Sequence, residues 1–357
     1  MKSTTDNCLI SIFIPVYNGS KYLKKSIDSV LNQTFKDYEL VCVDDTSTDD
    51  SFEILNNYAK KDSRIKILQK PNGGNVPKSW NFVMPYLKGE SITYMSQDDM
   101  MSEDNLEQMY IRQQETGADC VLPDLQDYYE AKKEGKKMVG FNGNRDLILT
   151  NKEALEFSLN WGIHGFALWK SKLLKNEQFP EDSFNSDEYI TRKLFLKSNK
   201  IAFCKGIFYR RQDNEKAITK TYGLKNYYSI LTNFRIYKLL EENDFEPSIV
   251  LSHLYVIYPL YFRQYRLLMH RKEINADSDF KKIQLMLYEL YLKLNKEKLL
   301  NLNKHYNQIN KVKIYFIWIL FCNYHIFKMT MSLVFLFDKI KESVTNNKSR
   351  LFLSTCY

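Results

Sequence analysis

The stretch ISIFIPVYNGSKYLKKSIDSVLNQTFKDYELVCVDD, residues 10–45, decides the fold of this 357-residue chain. Ile10–Val16 is a continuous apolar run rich in β-branched side chains, which predicts a strand buried on both faces. Ser20–Phe35 places apolar side chains on one stripe of a helix, with lysines outside it. Tyr38–Val43, YELVCV, predicts a second strand. A strand, a helix and a strand in this order predict a parallel pair joined by a right-handed crossover.

The same alternation continues to about residue 115 and predicts an α/β domain with a mostly parallel sheet. A helix containing Phe52 is followed by a strand at Arg64–Leu68, a helix at Lys78–Leu87, a strand at Ser91–Met95 and a helix at Glu103–Gln114. Beyond them, a short strand at 119–122 and a charged segment at 130–137 predict a hairpin or an insert.

Polar clusters follow three of the predicted strands: Tyr17-Asn18, Asp44-Asp45 and Gln97-Asp98-Asp99. Ligands of such sheets bind at the carboxyl ends of the strands, so these clusters are expected to meet. The chain has neither a Gly-x-Gly-x-x-Gly after the first strand nor a GxxxxGK[ST] motif, which excludes the dinucleotide fingerprint and the P-loop. A nucleoside diphosphate held by carboxylates and a divalent cation is the remaining interpretation.

Each acidic cluster also has a purely structural interpretation. Asp44 and Asp45 suit helix N-caps, and Asp187-Glu188 suits the first turn of a helix. Asp98-Asp99 suits a capped turn. Taken together, these interpretations do not explain why the acidic groups gather at one edge of the sheet.

Five segments in order resemble the family 2 glycosyltransferases, which have the GT-A fold. They are IPVYNGSKYLKKSIDSVLNQTFKDYELVCVDDTSTDDS at 14–51, GGNVPKSWN at 73–81, YMSQDD at 94–99, SDEYITRKL at 186–194 and IFYRRQDNEKAIT at 207–219. The resemblance covers residues 10 to about 220. It implies a GT-A domain at 1–222, with a nucleotide-binding half at about 8–115 and an acceptor half at about 116–222.

The resemblance implies a nucleoside site, usually for uridine. Pro15, Tyr17 and Asn18 match the motif that packs on the nucleoside, and Asp45 matches the residue that hydrogen-bonds the base edge. Lys78 lies where relatives often carry a basic residue.

The resemblance also implies a catalytic centre. Asp98 matches the residue that faces the ribose and diphosphate, and Asp99 the ligand of Mn²⁺ or Mg²⁺. Asp187 matches the proposed general base, with Glu188 as its rival, and Arg211 matches a basic residue near the diphosphate. A base on the face opposite the leaving group inverts the anomeric carbon. We therefore expect a metal-dependent, inverting transferase that takes a nucleotide sugar, most often a UDP-sugar.

Some positions depart from the family pattern. Thr46 and Asp50 replace two usual glycines, and Gln97 stands where many relatives carry a further Asp. Gln97 keeps open the alternative of an inactive, GT-A-like binding or scaffold protein. A nucleotidyltransferase is a second alternative, but it would carry a Gly-rich basic loop after the first strand, which PVYNGSKY is not.

The residues that recognise the acceptor are harder to identify from the sequence. Trp161 and His164, in the segment WGIHG, are candidate acceptor contacts, because an indole face suits a sugar ring and an imidazole suits a hydroxyl. The alternative is that Trp161, like Trp169, is an ordinary core aromatic.

Residues 223–357 read as a helical region, in which Ile314–Phe337 is long enough to span a bilayer. Asn323, His325 and Lys328 interrupt that run. Lysines flank it, so we expect residues 311–341 to form an interfacial helix on the inner leaflet. A buried helix and a membrane span are the alternatives.

The net charge is +8, from 51 Lys+Arg against 43 Asp+Glu, and it suits an anionic membrane. No basic run interleaved with aromatic residues marks a nucleic-acid groove, so nucleic acid is not an expected partner.

The six cysteines have no CxxC spacing, and the N-terminal residues lack a secretory pattern. We expect a cytoplasmic enzyme, peripheral on the inner membrane face, that acts on a glycan or lipid-linked acceptor of the cell envelope.

Overall fold

The computed structural model describes residues 8–131, 135–183, 185–217, 220, 224–271, 278–294, 298 and 311–354. The chain divides into two compact units, Met1–Tyr222 and Gly223–Tyr357.

A nine-stranded sheet forms the centre of the first unit. Its strands are β1 (Ile10–Val16), β2 (Tyr38–Asp44), β3 (Ile65–Gln69), β4 (Ser91–Tyr94), β5 (Met100–Met101), β6 (Cys120–Tyr128), β7 (Lys137–Met138), β8 (Leu168–Lys170) and β9 (Ile201–Arg211). The spatial order is β3-β2-β1-β4-β8-β6-β9-β5, and β7 pairs with β6. The first four strands in this order are parallel, as are β6 and β9, whereas β8 runs antiparallel to both neighbours. The expected α/β class with a mostly parallel sheet is confirmed.

Among the described residues of this unit, seven α-helices accompany the sheet. They are α1 (Ser20–Leu31), α2 (Ser51–Ala59), α3 (Val76–Val83), α4 (Asn105–Thr116), α5 (Asn151–Leu159), α6 (Ser171–Leu174) and α7 (Ser186–Lys197). The core between helices and sheet is apolar, and β2 is buried along its whole length. The burial of β1 is what its apolar run predicts, whereas β2 also buries Glu39, whose carboxylate is paired with Lys66.

The helix predicted over Ser20–Phe35 ends early, at Leu31. The chain turns there to bury Gln33, whose amide nitrogen donates to the Ser102 carbonyl (2.7 Å) and whose amide oxygen accepts from the Leu106 N–H (2.9 Å). A buried amide needs such partners, so tertiary hydrogen bonds override the local helical pattern.

The helix predicted over Lys78–Leu87 begins two residues earlier, at Val76. The side chain of Asn75 caps it by accepting from the Lys78 N–H (3.1 Å). The helix gives way to a 3₁₀ turn at Met84–Tyr86. The strand predicted at 119–122 extends to Tyr128 and forms the expected hairpin with β7.

The second unit is helical, as the sequence predicts. Its helices are α8 (Ser229–Glu242), α9 (Pro247–Arg271), α10 (Ser278–Lys293), α11 (Lys311–Cys322) and α12 (Tyr324–Ser354), after a 3₁₀ turn at Leu224–Tyr228. Its core is aromatic: Tyr261 packs edge-on against Phe321 and Phe327, with ring centroids 5.3 and 5.4 Å away.

The expectation of one continuous helix across Ile314–Phe337 is wrong. The chain bends by 117° between α11 and α12. The side-chain oxygen of Asn323 accepts the His325 N–H (2.8 Å), which caps α12 and stops α11 from continuing into it. Within the described residues no single helix is long and apolar enough to cross a membrane, and only this bent pair meets the length and composition criteria.

Candidate active site

The loops that follow β1 and β2 interlock at the carboxyl edge of the sheet. Asn18 and Thr46 have left-handed backbones, with φ of 47° and 60°. The Asn18 amide oxygen accepts from the Thr48 N–H (2.8 Å), and the Asn18 N–H donates to the Ser47 hydroxyl (3.0 Å). A left-handed φ is unfavourable for a β-branched residue, which explains why glycine is usual where Thr46 stands. The Thr46 hydroxyl secures this conformation by donating to the Lys70 carbonyl (2.7 Å).

The carboxylate of Asp45 lies in this loop cluster and is nearly buried. It forms an ion pair with Lys70 and accepts the Gly73 N–H (2.9 Å). The Lys78 side chain passes beside Gly73, since a Cβ added there would lie 2.8 Å from Lys78 Cδ. The structure thus brings Asp45 and Lys78 to one place. The N-cap interpretation of Asp45 and Asp44 is wrong, because α2 begins only at Ser51.

Gln97 joins the end of β4 to the end of β1. Its side-chain oxygen accepts the Tyr17 N–H (2.9 Å) and its amide nitrogen donates to the Tyr17 carbonyl (3.0 Å). Gly19 leaves room for this clamp, because a Cβ there would lie 2.3 Å from the Gln97 oxygen. An Asp side chain has no N–H with which to make the second bond. Gln97 therefore has a structural role that an Asp at this position could not fill.

Asp98 and Asp99 follow Gln97. Asp98 accepts from the Asn214 side chain (2.6 Å). Asp99 is 4% exposed and accepts the Arg211 N–H (2.9 Å). Burial, together with the Asp98 charge, raises the pKa of Asp99 to about 8. A buried carboxylate next to a second carboxylate is costly in its charged form. It is stabilised either by binding a proton or by a nearby cation.

Arg211, at the end of β9, holds this turn in place. Its Nε donates to the Asp98 carbonyl (3.1 Å), and Nη1 donates to Asp213 (3.0 Å) and Glu130 (3.1 Å). The guanidinium also lies 4.6 Å from the centre of the Tyr22 ring. The guanidinium charge already faces two carboxylates. The contacts of Arg211 therefore support a role in positioning the Asp98-Asp99 turn.

Asp187 and Glu188 open α7 in different environments. Glu188 accepts a 2.6 Å bond from Arg192 Nη1, one turn along the helix. Asp187 is solvent-exposed at the mouth of a cleft. The surrounding cleft walls and the Glu188 charge raise its pKa to about 7. Of the two rivals, only Asp187 is a carboxylate without an ion-pair partner among the described residues.

Tyr94, at the end of β4, lines the same cavity as Asp187. Its hydroxyl lies 3.2 Å from the Ser96 hydroxyl. Burial raises the pKa of the Tyr94 hydroxyl, and the charges of Asp187, Asp99 and Asp98 raise it further. Sequence reasoning missed Tyr94, although its position at the end of β4, just before the acidic pair, was a usable signal.

A cavity adjoins Asp187, and Trp161 and His164 both lie on its wall. Trp161 is exposed, and the Arg210 guanidinium lies 5.3 Å from its ring centre. His164 is buried and its Nε2 donates to the Pro123 carbonyl (2.9 Å). Burial lowers the pKa of His164 to about 4, so the ring is neutral at physiological pH.

No group of three or more His, Cys, Asp or Glu side chains that could hold a metal exists among the described residues. Two neighbouring carboxylates nevertheless suit Mg²⁺, which completes its shell with water and substrate phosphates. The buried Asp99, with its raised pKa and the Asp98 charge beside it, fits such a cation.

Comparison with known proteins places the chain among glycosyltransferases. Residues 11–176 match the family model "Glycosyl transferase family 2". The chain is 30% identical over 225 residues to glycosyltransferase GlyG of Streptococcus pneumoniae, covering 60% of this chain and 73% of that one. It is 25% identical over 303 residues to the GalNAc(5)-diNAcBac-PP-undecaprenol beta-1,3-glucosyltransferase of Campylobacter jejuni, covering 80% and 84%. It also matches longer curated relatives, of which it spans 32% and 38% of the length.

Solved protein structures share the fold of this chain. The structure of S. aureus TarS 1-349 in complex with UDP superposes with a TM-score of 0.59 at 20% identity, covering 77% of this chain and 80% of that one. A likeness at this identity establishes the fold, and the GT-A expectation is confirmed.

Proposed function

Because the chain belongs to glycosyl transferase family 2, we propose that it transfers a hexosyl group from a UDP-sugar to a glycan or lipid-linked acceptor during synthesis of a cell-surface polysaccharide. The observation that carries the proposal is the position of Asp98 and Asp99 just after β4, whose last residue, Tyr94, lines one cavity together with Asp187. The UDP-bound fold neighbour supports UDP as the nucleotide, and the relative whose name includes PP-undecaprenol supports a lipid-linked acceptor.

Asp187 is the general base in this proposal. Removing the proton of an acceptor hydroxyl requires a base whose pKa is close to the working pH, and a pKa of about 7 meets that requirement. The ion pair with Arg192 occupies the Glu188 carboxylate, which makes Glu188 the weaker candidate. Attack from the Asp187 side, opposite the leaving diphosphate, inverts the anomeric carbon.

Asp99, with Asp98 beside it, would hold Mn²⁺ or Mg²⁺. The cation supplies positive charge that stabilises the leaving nucleoside diphosphate. The remaining groups of this turn are held by protein contacts: Asn214 fixes Asp98, and Arg211 fixes the backbone of the turn.

The nucleoside binds between the ends of β1 and β2 in this proposal. Pro15, Tyr17 and Asn18 provide the surface against which it packs, and the Gln97 clamp fixes Tyr17. Asp45 is held by Lys70 and the Gly73 N–H, so its orientation toward the base edge is set before the nucleotide arrives. Such preorganisation lowers the entropic cost of binding.

Attachment to the inner leaflet of the membrane is also part of the proposal, through residues 311–341. Exposed apolar side chains recur along one face of α12, at Ile326, Met329, Leu333, Leu336 and Phe337. Lys328, Lys339 and Lys341 are exposed on the same helix. An apolar stripe on a helix that also carries exposed lysines suits the surface of an anionic bilayer.

A substrate panel tests the activity. The full chain is incubated with UDP-glucose, UDP-galactose, UDP-GlcNAc or UDP-GalNAc, with Mn²⁺, Mg²⁺ or EDTA, and release of UDP is measured with and without envelope glycolipid extract. We expect metal-dependent release from at least one donor, increased by the acceptor extract. No binding and no turnover of any nucleotide sugar would reject the function.

A further inference from the structure

The side chain of Asn81, on α3, holds the backbone of Phe179 from both sides. Its Oδ1 accepts the Phe179 N–H (2.8 Å), and its Nδ2 donates to the Phe179 carbonyl (2.9 Å). Nδ2 also donates to the Glu181 carboxylate (2.8 Å), so both of its hydrogens are used. These three bonds form the Asn81 clamp. The clamp gives Phe179 the pair of bonds that a neighbouring strand would give it, although residues 177–180 belong to no strand or helix.

Two further contacts tie the same segment to the region of α3. The oxygen of the Asn75 side chain caps α3, and its Nδ2 donates to the Glu181 carbonyl (2.7 Å). The rings of Trp80 and Phe179 stack with centroids 4.8 Å apart and an interplanar angle of 5°. Residues 179–181 are therefore held by four side-chain hydrogen bonds and one ring stack.

The held segment leads into α7, which carries Asp187 in its first turn. The Ser183 hydroxyl donates to the Asn185 side chain (2.7 Å), and the Asn185 carbonyl accepts the Glu188 N–H (3.2 Å). Phe179 and Asp187 line the same cavity. The segment is therefore close to Asp187 along the chain and adjoins it on the cavity wall.

The rest of α7 has its own anchors. Glu177 is buried and forms ion pairs with Lys193 (2.8 Å) and Lys197. Arg192 Nη2 donates to the Ser158 carbonyl (2.7 Å). Because these contacts do not involve the Asn81 clamp, we expect loss of the clamp to release the amino end of α7 while the rest of the helix stays in place.

We propose that Asn81 is a positioning residue for the general base: the Asn81 clamp fixes the segment before α7 and so sets where the Asp187 carboxylate stands in the cavity. The inference rests on the proposed function and deepens it by assigning a role to Asn81, the last residue of the segment GGNVPKSWN, in which only Lys78 had a predicted role. A general base must come within about 3 Å of the hydroxyl that it deprotonates. A displacement of about 1 Å caused by a remote substitution is enough to cost about 100-fold in rate.

Two substitutions of Asn81 test the proposal. Asn81→Ala removes all three bonds of the clamp. Asn81→Asp has nearly the same shape, keeps the oxygen that accepts the Phe179 N–H and loses both donated bonds, so it is the variant to use if Asn81→Ala does not fold. Asn56→Ala, on α2, is the matched control, because the Asn56 amide donates to the Phe52 carbonyl of its own helix (3.0 Å). Transfer kinetics, UDP affinity and the stoichiometry of UDP binding are measured on the full chain of each.

We expect kcat of Asn81→Ala to fall by about 10- to 100-fold. UDP affinity and stoichiometry should stay at wild-type values, because the contacts that hold Asp45 do not involve Asn81. Asn81→Asp should lose rate in the same way. Adding Glu181→Gln to it should recover part of the loss, since this removes a repulsion between two carboxylates and supplies an amide donor. Wild-type kcat in both Asn81 variants, or a fall in kcat that only matches a loss of UDP-binding sites, would overturn the inference.

Hydrogen–deuterium exchange distinguishes failure of this inference from failure of the proposed function. Exchange of the backbone amides of residues 177–183 and 185–192 is measured without nucleotide. We expect faster exchange there in Asn81→Ala than in the wild type and in Asn56→Ala, with equal exchange over β1. Equal exchange over these residues in all three proteins would overturn the clamp. A wild type that binds no nucleotide sugar would reject the function and the catalytic half of the inference, and exchange alone would then decide the clamp.

Discussion

Two adjacent carboxylates on α7 illustrate how environment separates residues that sequence treats alike. Asp187 and Glu188 are both acidic first-turn residues, and the sequence left them as rivals. The structure gives Glu188 an ion pair with the buried Arg192 and gives Asp187 an exposed position in a cleft. The two side chains leave the helix in different directions and meet different neighbours. Residue types alone do not specify those neighbours.

The pH dependence of transfer follows from the environment of Asp187. Its pKa of about 7 lies well above the ordinary value for Asp, so the proton is lost only as the pH rises through neutrality. A general base must be deprotonated, so kcat should rise from acidic pH and level off above about pH 8, falling roughly tenfold per unit below the pKa. Single-turnover rates at saturating donor, with UDP affinity measured at each pH as the control, test this. A rate that is flat from pH 5.5 to 8.5 would contradict the assignment.

Removal of the Asp99 charge tests the metal role. Asp99→Asn keeps an oxygen for the Arg211 N–H and removes the negative charge. We expect UDP affinity in the presence of Mn²⁺ to fall by more than about tenfold, with little change in EDTA. Asp279→Asn, in the first turn of α10, is the control. Equal stimulation of UDP binding by Mn²⁺ in Asp99→Asn and in the wild type, measured by calorimetry, would exclude Asp99 as the ligand.

At the scale of elements, the sequence predicted the strands better than the ends of the helices. β1 matches its predicted bounds because a strand buried on both faces has an unbroken apolar run. Helix ends depended on distant partners: α1 stops where Gln33 meets Ser102, which lies 69 residues away. The break between α11 and α12 was missed because Asn323 was counted only as a polar interruption and not as a cap.

The cap at Asn323 has a measurable effect. Asn323→Ala removes the oxygen that accepts the His325 N–H, and loss of such a cap costs about 1 kcal/mol of unfolding free energy. Denaturant unfolding of the full chain, followed by far-UV circular dichroism, measures this cost. Asn323→Ser, which keeps a capping oxygen, should restore most of it. An Ala variant as stable as the wild type would show that packing alone fixes the bend.

At the scale of the molecule, the order of strands and helices predicted the α/β class, and dispersed motifs predicted the family. The positions of the antiparallel β8 and the short β5 could not be predicted, because their pairing is set by non-local contacts. The position of Asp45, Asp98 and Asp99 at the carboxyl edge of the sheet was predictable from the rule that ligands bind there. The position of Tyr94 on the cavity wall with Asp187 and the Gln97–Tyr17 clamp were not, since both depend on side-chain packing between distant segments.

The proposed membrane surface is testable in the full chain. A triple substitution of Met329, Leu333 and Phe337 by Gln removes side chains that are 69%, 57% and 70% exposed, so thermal stability should change little. We expect the wild type to sediment with vesicles rich in phosphatidylglycerol and the variant to remain in the supernatant. Val256→Gln, at an exposed position on α9, is the control. Equal sedimentation of the wild type and the triple variant would contradict the proposal, and a change of oligomeric mass in the variant would reassign the stripe to a second copy of the chain.

The central claim is that carboxylates from separate elements act on one nucleotide sugar, and Asp187→Asn tests it most directly. Transfer rate and UDP affinity are measured side by side on the same preparation of the full chain. We expect the rate to fall on the order of 10²- to 10⁴-fold, while UDP binds as tightly as it does to the wild type. Turnover at the wild-type rate would contradict the account.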